Sequence, residues 1–320
     1  MKKVFFCLFI LIIVSLLSVF VFIKINLSPF SADSKNKVFV VNAGDSLVTI
    51  SKSLEKNQLI KNRFAFLTYA FLTGKNKTIQ SGTFRLSPSL SVSEIITKLS
   101  SGGVSDYWLK IIDGTRVEEL ADNFPKNLSF TGNDFVAKAK SLQGYLFPDS
   151  YLIPEYFTVD QILATIKTNF DQKFAKAKVD ATNTTMTDKQ IVVLASIIER
   201  EARTLKVKQG VAGVLINRIN IGMPLQSDVT VQYVRDSKNK PASYWKDLDA
   251  SDISLVSSYN TYKNKGLPPG PICNPGLDSL YAAFHPTDSD YLYYLTGNDN
   301  QMHYATTLSE HDSNIAKYLK

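Results

Sequence analysis

The run VVLASIIEREARTLKVK, residues 192–208, decides how the second half of this chain is read. Apart from Ser196 its first seven residues are apolar, and it then turns abruptly into Glu199, Arg200, Glu201 and Arg203. A helix that only fills a core usually stops at Gly, Asn or a terminal Lys, not at a cluster of opposite charges. Thr187 with Gln190 three places on is a capping-box pattern, so the spacing predicts a helix from 188 to about 203. On such a helix Leu194, Ile197 and Ile198 lie seven, four and three residues before Glu201, and Ala195 and Val192 lie four and seven before Glu199. Both carboxyls therefore emerge on apolar faces. Lost hydration disfavours a carboxylate and raises its pKa toward the range where it donates a proton at neutral pH, as a glycosidase-type general acid requires. The alternative is structural, with Arg200, Arg203 or Arg218 pairing with each glutamate.

Further residues suit a site. In GMPLQSDVTVQY, residues 222–233, an extended segment is expected to send Gln226, Asp228 and Thr230 to one face. SSYNTYKNKGLPPGPICNPG, residues 257–276, is a long loop of turn-forming residues carrying Asn260 and Tyr262, with its backbone restricted by Pro268, Pro269 and Pro271. Long ordered loops of that kind are uncommon without a binding role.

Working outward, 320 residues with 44% hydrophobic and 20% charged side chains suffice for roughly two domains and an appendage. Residues 4–23 are uncharged, about the length of a helix that crosses a bilayer, and Lys2 and Lys3 precede them. The expectation is a single-pass anchor over residues 1–24 in the cytoplasmic (inner) membrane, with everything after Lys24 on the far side. A cleaved signal peptide is the rival, disfavoured by the length of the apolar run and the lack of an A-x-A-like site. Cys7 and Cys273 form no disulfide framework. The net charge of +7 is spread along the chain, which suits solubility or mild attraction to anionic polymers, and no basic motif with interleaved aromatics points to nucleic acid. Three histidines with no cluster at ligand spacing give no metal site, and no cofactor is expected.

The remaining organisation follows from periodicity. Residues 25–37 read as a tether, and 38–103 as a small α+β domain: KVFVV a strand, a helix through Leu47, Ile50 and Leu54 capped by Asp45 or Ser46, RFAFLTYAFLTG a helix, SGTFRLS a strand, SVSEIITKLSSGG a capped helix. AGDSLVTISKSLEKNQLI within it resembles the opening of LysM modules, which bind N-acetylglucosamine polymers. Residues 104–155 connect, with an aromatic stretch around Tyr145, Phe147, Tyr151, Tyr156 and Phe157 that suits either core or sugar contact. Residues 156–320 form a larger, mainly helical domain, its helices including one capped by Thr158 and one that stops at Gly222.

In order and spacing, LASIIERE, GVLINRINIGMPLQSD, YNTYKNKGLPPGPICNPG and SLYAAFHP, with IIDGTRVEELA and GYLFPDSY upstream, resemble the MltG/YceG-like endolytic murein transglycosylases. That resemblance implies an α+β chain with a lysozyme/transglycosylase-like catalytic domain that cuts peptidoglycan glycan strands between N-acetylmuramic acid and N-acetylglucosamine, leaving a 1,6-anhydro end. It implies Glu201 as the catalytic acid, Glu199 as its neighbour, and Gln226, Asp228, Thr230, Asn260 and Tyr262 around the substrate. It also implies action on nascent strands beside penicillin-binding synthases. Ala202 and Val229 depart from the family's usual Thr or Ser and Pro, and Met302 stands where a His is common, so His303 is left out of the site; His285 and His311 read as structural. A non-catalytic glycan-binding module, a lysozyme-like hydrolase and a purely structural envelope protein are the competing readings.

Overall fold

The computed structural model describes residues 13, 17–18, 20–103, 106–122, 124, 128, 130–183, 185–239 and 243–319. Its contacts divide the chain into two units, residues 1–107 with 154–156, and residues 108–153 with 157–320.

The first unit is built around one hairpin-like pair of strands. β1 (Lys37–Val41) runs antiparallel to β2 (Gly82–Leu86), with Phe39 opposite Phe84 and Val41 opposite Gly82. Alternation buries Phe39 and Val41 on one face and leaves Val38 and Val40 about half exposed on the other. Between the strands come α1 (Leu47–Lys56) and α2 (Arg63–Leu72), and α3 (Val92–Ser100) follows β2. Ser46 caps α1 by accepting from the Thr49 N–H. Ser91 and Glu94 form the reciprocal box at the start of α3. Ile50, Leu54, Phe66, Ile95, Ile96 and Leu99 meet the inner strand faces in one core.

The second unit takes in most of β3 (Asp106–Lys110) and β4 (Ser150–Pro154), which pair, with α4 (Val117–Ala121) and α5 (Gly132–Ala139) between them. The long α6 (Val159–Ala177) follows, then α7 (Asp188–Glu201), α8 (Leu205–Asn220), α9 (Asp228–Asn239) and α10 (Leu277–Phe284). An antiparallel pair, β5 (Tyr293–Thr296) and β6 (Met302–Ala305), and α11 (Leu308–Tyr318) complete the unit. α7 is the centre: every residue from Ile191 to Ile198 is buried, against Val211, Leu215, Leu280 and Phe284 of the flanking helices. Thr158 with Gln161 and Thr187 with Gln190 form the expected capping boxes. Gly222, just beyond α8, has φ +66° and turns the chain where the stop was expected.

Two expectations need correction. Among the described residues no helix is long and apolar enough to cross a membrane. The run that raised that expectation, residues 4–23, falls largely outside the described residues. Its described end, residues 20–27, is helical and contains Lys24 and Asn26. The single-pass anchor, the inner-membrane localisation and the placement of the later domains across a membrane are withdrawn with it. The second correction concerns residues 228–233, which are helical rather than extended: α9 begins at Asp228.

Of the aromatic stretch, Phe147 and Tyr151 are core residues, 5% and 8% exposed. A polar clamp holds the neighbouring loops. Fully buried Asn274 accepts from the N–H groups of Gly144 (2.8 Å) and Leu146 (3.1 Å) and donates to the Thr115 carbonyl (2.9 Å). Gln143 reaches across to the Ile272 carbonyl and accepts from Val117 N–H. Gly144 has φ +88°, and a Cβ there would lie 2.5 Å from the Pro271 ring. Gly144→Ala therefore combines left-handed backbone strain with overpacking, and is expected to cost about 3 kcal/mol in denaturant unfolding.

Candidate active site

The C-terminal turn of α7 carries both glutamates, and the fold gives them different surroundings. Glu199 and its partner Lys208, on α8, are 7% and 5% exposed at their side chains, with Nζ 2.9 Å from Oε1. The other oxygen, Oε2, accepts from the Gly276 N–H at 2.8 Å and the Ser279 hydroxyl at 2.7 Å, both at the start of α10. Glu199 is thus a fully bonded carboxylate that ties three helices together. Lys208 is its cation, rather than any of the three arginines that the sequence suggested.

Glu201 is held in another way. Its Oε1 accepts a 2.5 Å hydrogen bond from Ser227, the residue immediately before α9, and its carboxyl also bonds the Tyr294 hydroxyl of β5. Burial is the chief influence on it and raises its pKa; the nearby Asp228 charge adds to the rise, whereas Ser227, Tyr294 and the Arg218 guanidinium oppose it. Burial also pushes the Tyr294 hydroxyl well above its ordinary range, so it remains a neutral donor. Arg218 is fixed by its own donors, Nε to the Leu292 carbonyl and an Nη to the Leu225 carbonyl, both at 2.6 Å, with its plane 5.2 Å from the Tyr293 ring centre.

Around this carboxyl the loop between α8 and α9 is locked to the 257–276 loop. Gln226 N–H donates to the Thr261 carbonyl, Ser227 N–H to the Thr261 hydroxyl at 3.0 Å, and the buried Thr230 and Thr261 hydroxyls lie 2.9 Å apart. Gln226 itself sits at φ +50°, a left-handed conformation that a side chain adopts only when its surroundings impose it. Its side chain is exposed at the rim. Asp228 accepts from the Tyr262 hydroxyl at 2.5 Å.

Two cavities meet at Glu201. One, of about 440 Å³, is lined by Gln226, Asp228, Tyr262, Tyr293 and Tyr294 together with α11. The other, of about 720 Å³, is lined by Arg200, Arg203, Thr204, Thr296 and Asn300. The structure thus brings Glu201, Gln226, Asp228 and Tyr262 to one groove. Thr230 lies beneath it, wholly buried, and supports Ser227 through its carbonyl. Asn260 is wholly buried too: its amide donates to the Ile253 and Leu255 carbonyls and accepts from the Tyr262 N–H, so its polar atoms are spent on shaping the loop.

Ser227 and Tyr294, neither assigned from the sequence, complete the surroundings of Glu201 together with Arg218, which the sequence offered only as an ion-pair partner. Strand alternation put Ser227 on the face opposite its neighbours; the turn into α9 reverses that. Tyr293 and Tyr294 had no motif to mark them. His311 of α11 lines the same cavity as Glu201, stacks on Tyr293 at 5.3 Å, and has a buried Nδ1 with no partner among the described residues. Burial lowers its pKa, favouring a neutral ring. His285, by contrast, is buried, bonds the Ala177 carbonyl and stacks on Tyr281. His303 pairs with Asp299 and stacks on Tyr318. Among the described residues no group of His, Cys, Asp and Glu side chains is arranged to hold a metal ion.

Two outcomes follow from these bonds. Lys208→Met leaves the Glu199 charge buried without its cation and is expected to destabilise the protein by about 3 kcal/mol, read from chemical unfolding. Ser227→Ala removes a donor to the charged form of Glu201, so its carboxyl should titrate at higher pH than in the unmodified protein; a ¹³C-detected titration that shows no upward shift contradicts the bond's role.

Comparison with known proteins agrees over most of the length. The YceG-like family matches residues 39–317. An endolytic murein transglycosylase of Bacillus subtilis is 31% identical over 332 residues, covering 94% of this chain and 90% of that protein. Its namesake in Streptococcus pneumoniae serotype 2 is 28% identical over 340 residues, covering 92% of this chain, which spans 60% of that longer protein. The crystal structure of the yceG-like protein lmo1499 from Listeria monocytogenes matches with a TM-score of 0.56 and 29% identity, over 87% of this chain and 98% of that one. With the match reaching from the first strand through the second unit, Glu201 included, this chain belongs to the YceG-like family.

Proposed function

We propose that this chain is an endolytic murein transglycosylase, with Glu201 as its acid and base. The observation that carries the reading is a single carboxyl, raised in pKa by burial, placed where two cavities join and flanked by neutral hydroxyl donors. The names of the B. subtilis and S. pneumoniae relatives support the same activity.

The neutral acid of Glu201 donates its proton to the glycosidic oxygen between N-acetylmuramic acid and N-acetylglucosamine as the C1–O bond breaks. Positive charge that develops at C1 lies near Asp228, whose carboxylate is oriented by Tyr262. Glu201, now a carboxylate, takes the proton from the muramic acid's own 6-hydroxyl, whose oxygen closes on C1. The products are a free 4-hydroxyl on N-acetylglucosamine and a 1,6-anhydro muramic end, and no water is consumed. A hydrolase would instead use a second carboxylate toward water or as nucleophile, and Asp228 is the group that such a reaction would use. The chemistry of the released end separates the two.

In the first unit, the strand, two helices and antiparallel return strand support a LysM-like glycan-binding role. Family resemblance supports penicillin-binding synthases as partners on nascent strands.

Glu201→Gln is expected to lower turnover of uncrosslinked peptidoglycan strands by about 10²- to 10⁴-fold, with mass spectrometry showing loss of anhydro ends. Free reducing muramic ends from the unmodified enzyme would favour the hydrolase; strand binding without cleavage would favour a non-catalytic module. The same substitution has a defined effect on stability. The fold raises the pKa of Glu201, so it favours the protonated form, and the cost of ionisation appears only above the carboxyl's ordinary pKa. Glu201→Gln should raise Tm by about 2–4 °C at neutral pH. That gain should vanish in acid, where folded and unfolded carboxyls are both protonated.

A further inference from the structure

The groove is chemically unequal on its two sides. On one side of Glu201 the walls are tyrosines, with exposed Leu308 and Ile315 of α11 and Leu319 just after it beyond them, and the accessible charge is the carboxylate of Asp228. The cation on that side, Arg218, is spent on two backbone carbonyls. On the other side, Arg200 and Arg203 both line the cavity, and neither forms an ion pair among the described residues. Arg203 is exposed. Arg200 is half-buried, with its guanidinium 4.2 Å from the Trp245 ring centre and a buried Nε that has no hydrogen-bond partner among the described residues. An arginine held against an indole and short of an acceptor is already ordered for an anion. Glu199, which lines the same cavity, is taken up by Lys208, Gly276 and Ser279.

We infer that Arg200 and Arg203 form a carboxylate subsite that selects the acidic substituent of the muramic acid residue, so that the strand crosses Glu201 with that substituent on the arginine side and uncharged sugar faces on the tyrosine side. This rests on the transglycosylase reading and deepens it to specificity. Two sources supply such a carboxylate in peptidoglycan: the stem peptide, or the bare lactyl group once the peptide is removed. A guanidinium pair serves either through bidentate hydrogen bonds.

The test measures binding in a Glu201→Gln background, where strands stay intact. Four probes are compared by fluorescence anisotropy: peptide-bearing glycan strands, amidase-stripped strands that keep the lactyl carboxylate, and each of these preparations with its carboxylates amidated. Adding Arg203→Gln, and separately Arg200→Gln, should weaken binding of a carboxylate-bearing probe about tenfold and leave the amidated probes unchanged. Arg203→Lys should restore part of the loss. Weakening confined to peptide-bearing strands assigns the subsite to the stem peptide, and weakening confined to stripped strands assigns it to the lactyl group. Exposed Arg203 keeps the test valid if the Arg200 variant fails to fold. Equal weakening on the amidated probes, or none on any probe, overturns the inference. Failure of the unmodified enzyme to cut any strand would overturn the transglycosylase reading instead, since the binding comparison does not depend on turnover.

Discussion

A helix buried along eight consecutive residues has to find partners inside the protein for whatever polar groups it carries. For α7 the critical group is Glu199, and its carboxylate is satisfied by Lys208 from α8 and by Gly276 and Ser279 at the start of α10. Removing any one partner leaves charge or a donor stranded where water does not compensate, so these helices are fixed in relative position by an electrostatic requirement as well as by packing. The same helix uses Ser196 to bond the Ile272 N–H and accept, through its carbonyl, the Cys273 thiol, which carries the constraint into the 257–276 loop.

That rigidity gives the neighbouring glutamate its chemistry. Two residues on from Glu199, Glu201 reaches the groove without a dedicated cation and keeps a raised pKa. The two carboxyls differ because one was supplied with a buried ammonium and the other with hydroxyls. Ser227 and Tyr294 hold Glu201 in place without neutralising it, and Arg218, anchored on backbone carbonyls, moderates its charge from one side. Positioning by neutral donors suits a group that must lose and regain a proton in one cycle.

Loop architecture supplies the rest. Asn260 looks from the sequence like a ligand for sugar, being a polar residue in a long proline-rich loop. In the fold it and Asn274 are both wholly buried and spent on backbone groups. A loop of this length without regular secondary structure leaves many carbonyls and N–H groups unpaired, and buried asparagine amides are the economical way to satisfy them. The groove-facing positions, Gln226 and Tyr262, are then set by a backbone that these amides hold.

Local pattern alone determined much of this protein: the strands and caps of residues 37–100, the boundaries of α6 and α7, and the stop after α8. Those depend on period, capping chemistry and glycine, which act over a few residues. Motif order was enough to indicate the family. Tertiary structure decided what depends on distant segments. It showed that Glu199 is matched by Lys208 and that Thr230 and Asn260 lie under the groove rather than facing it. It also brought Ser227, Tyr294 and His311 beside Glu201, from positions 26, 93 and 110 residues further along the chain. The extended reading of residues 228–233 failed because apolar spacing in a short segment fits a strand or one buried helical face equally well. Only the packing of α9 against α7 selects between them.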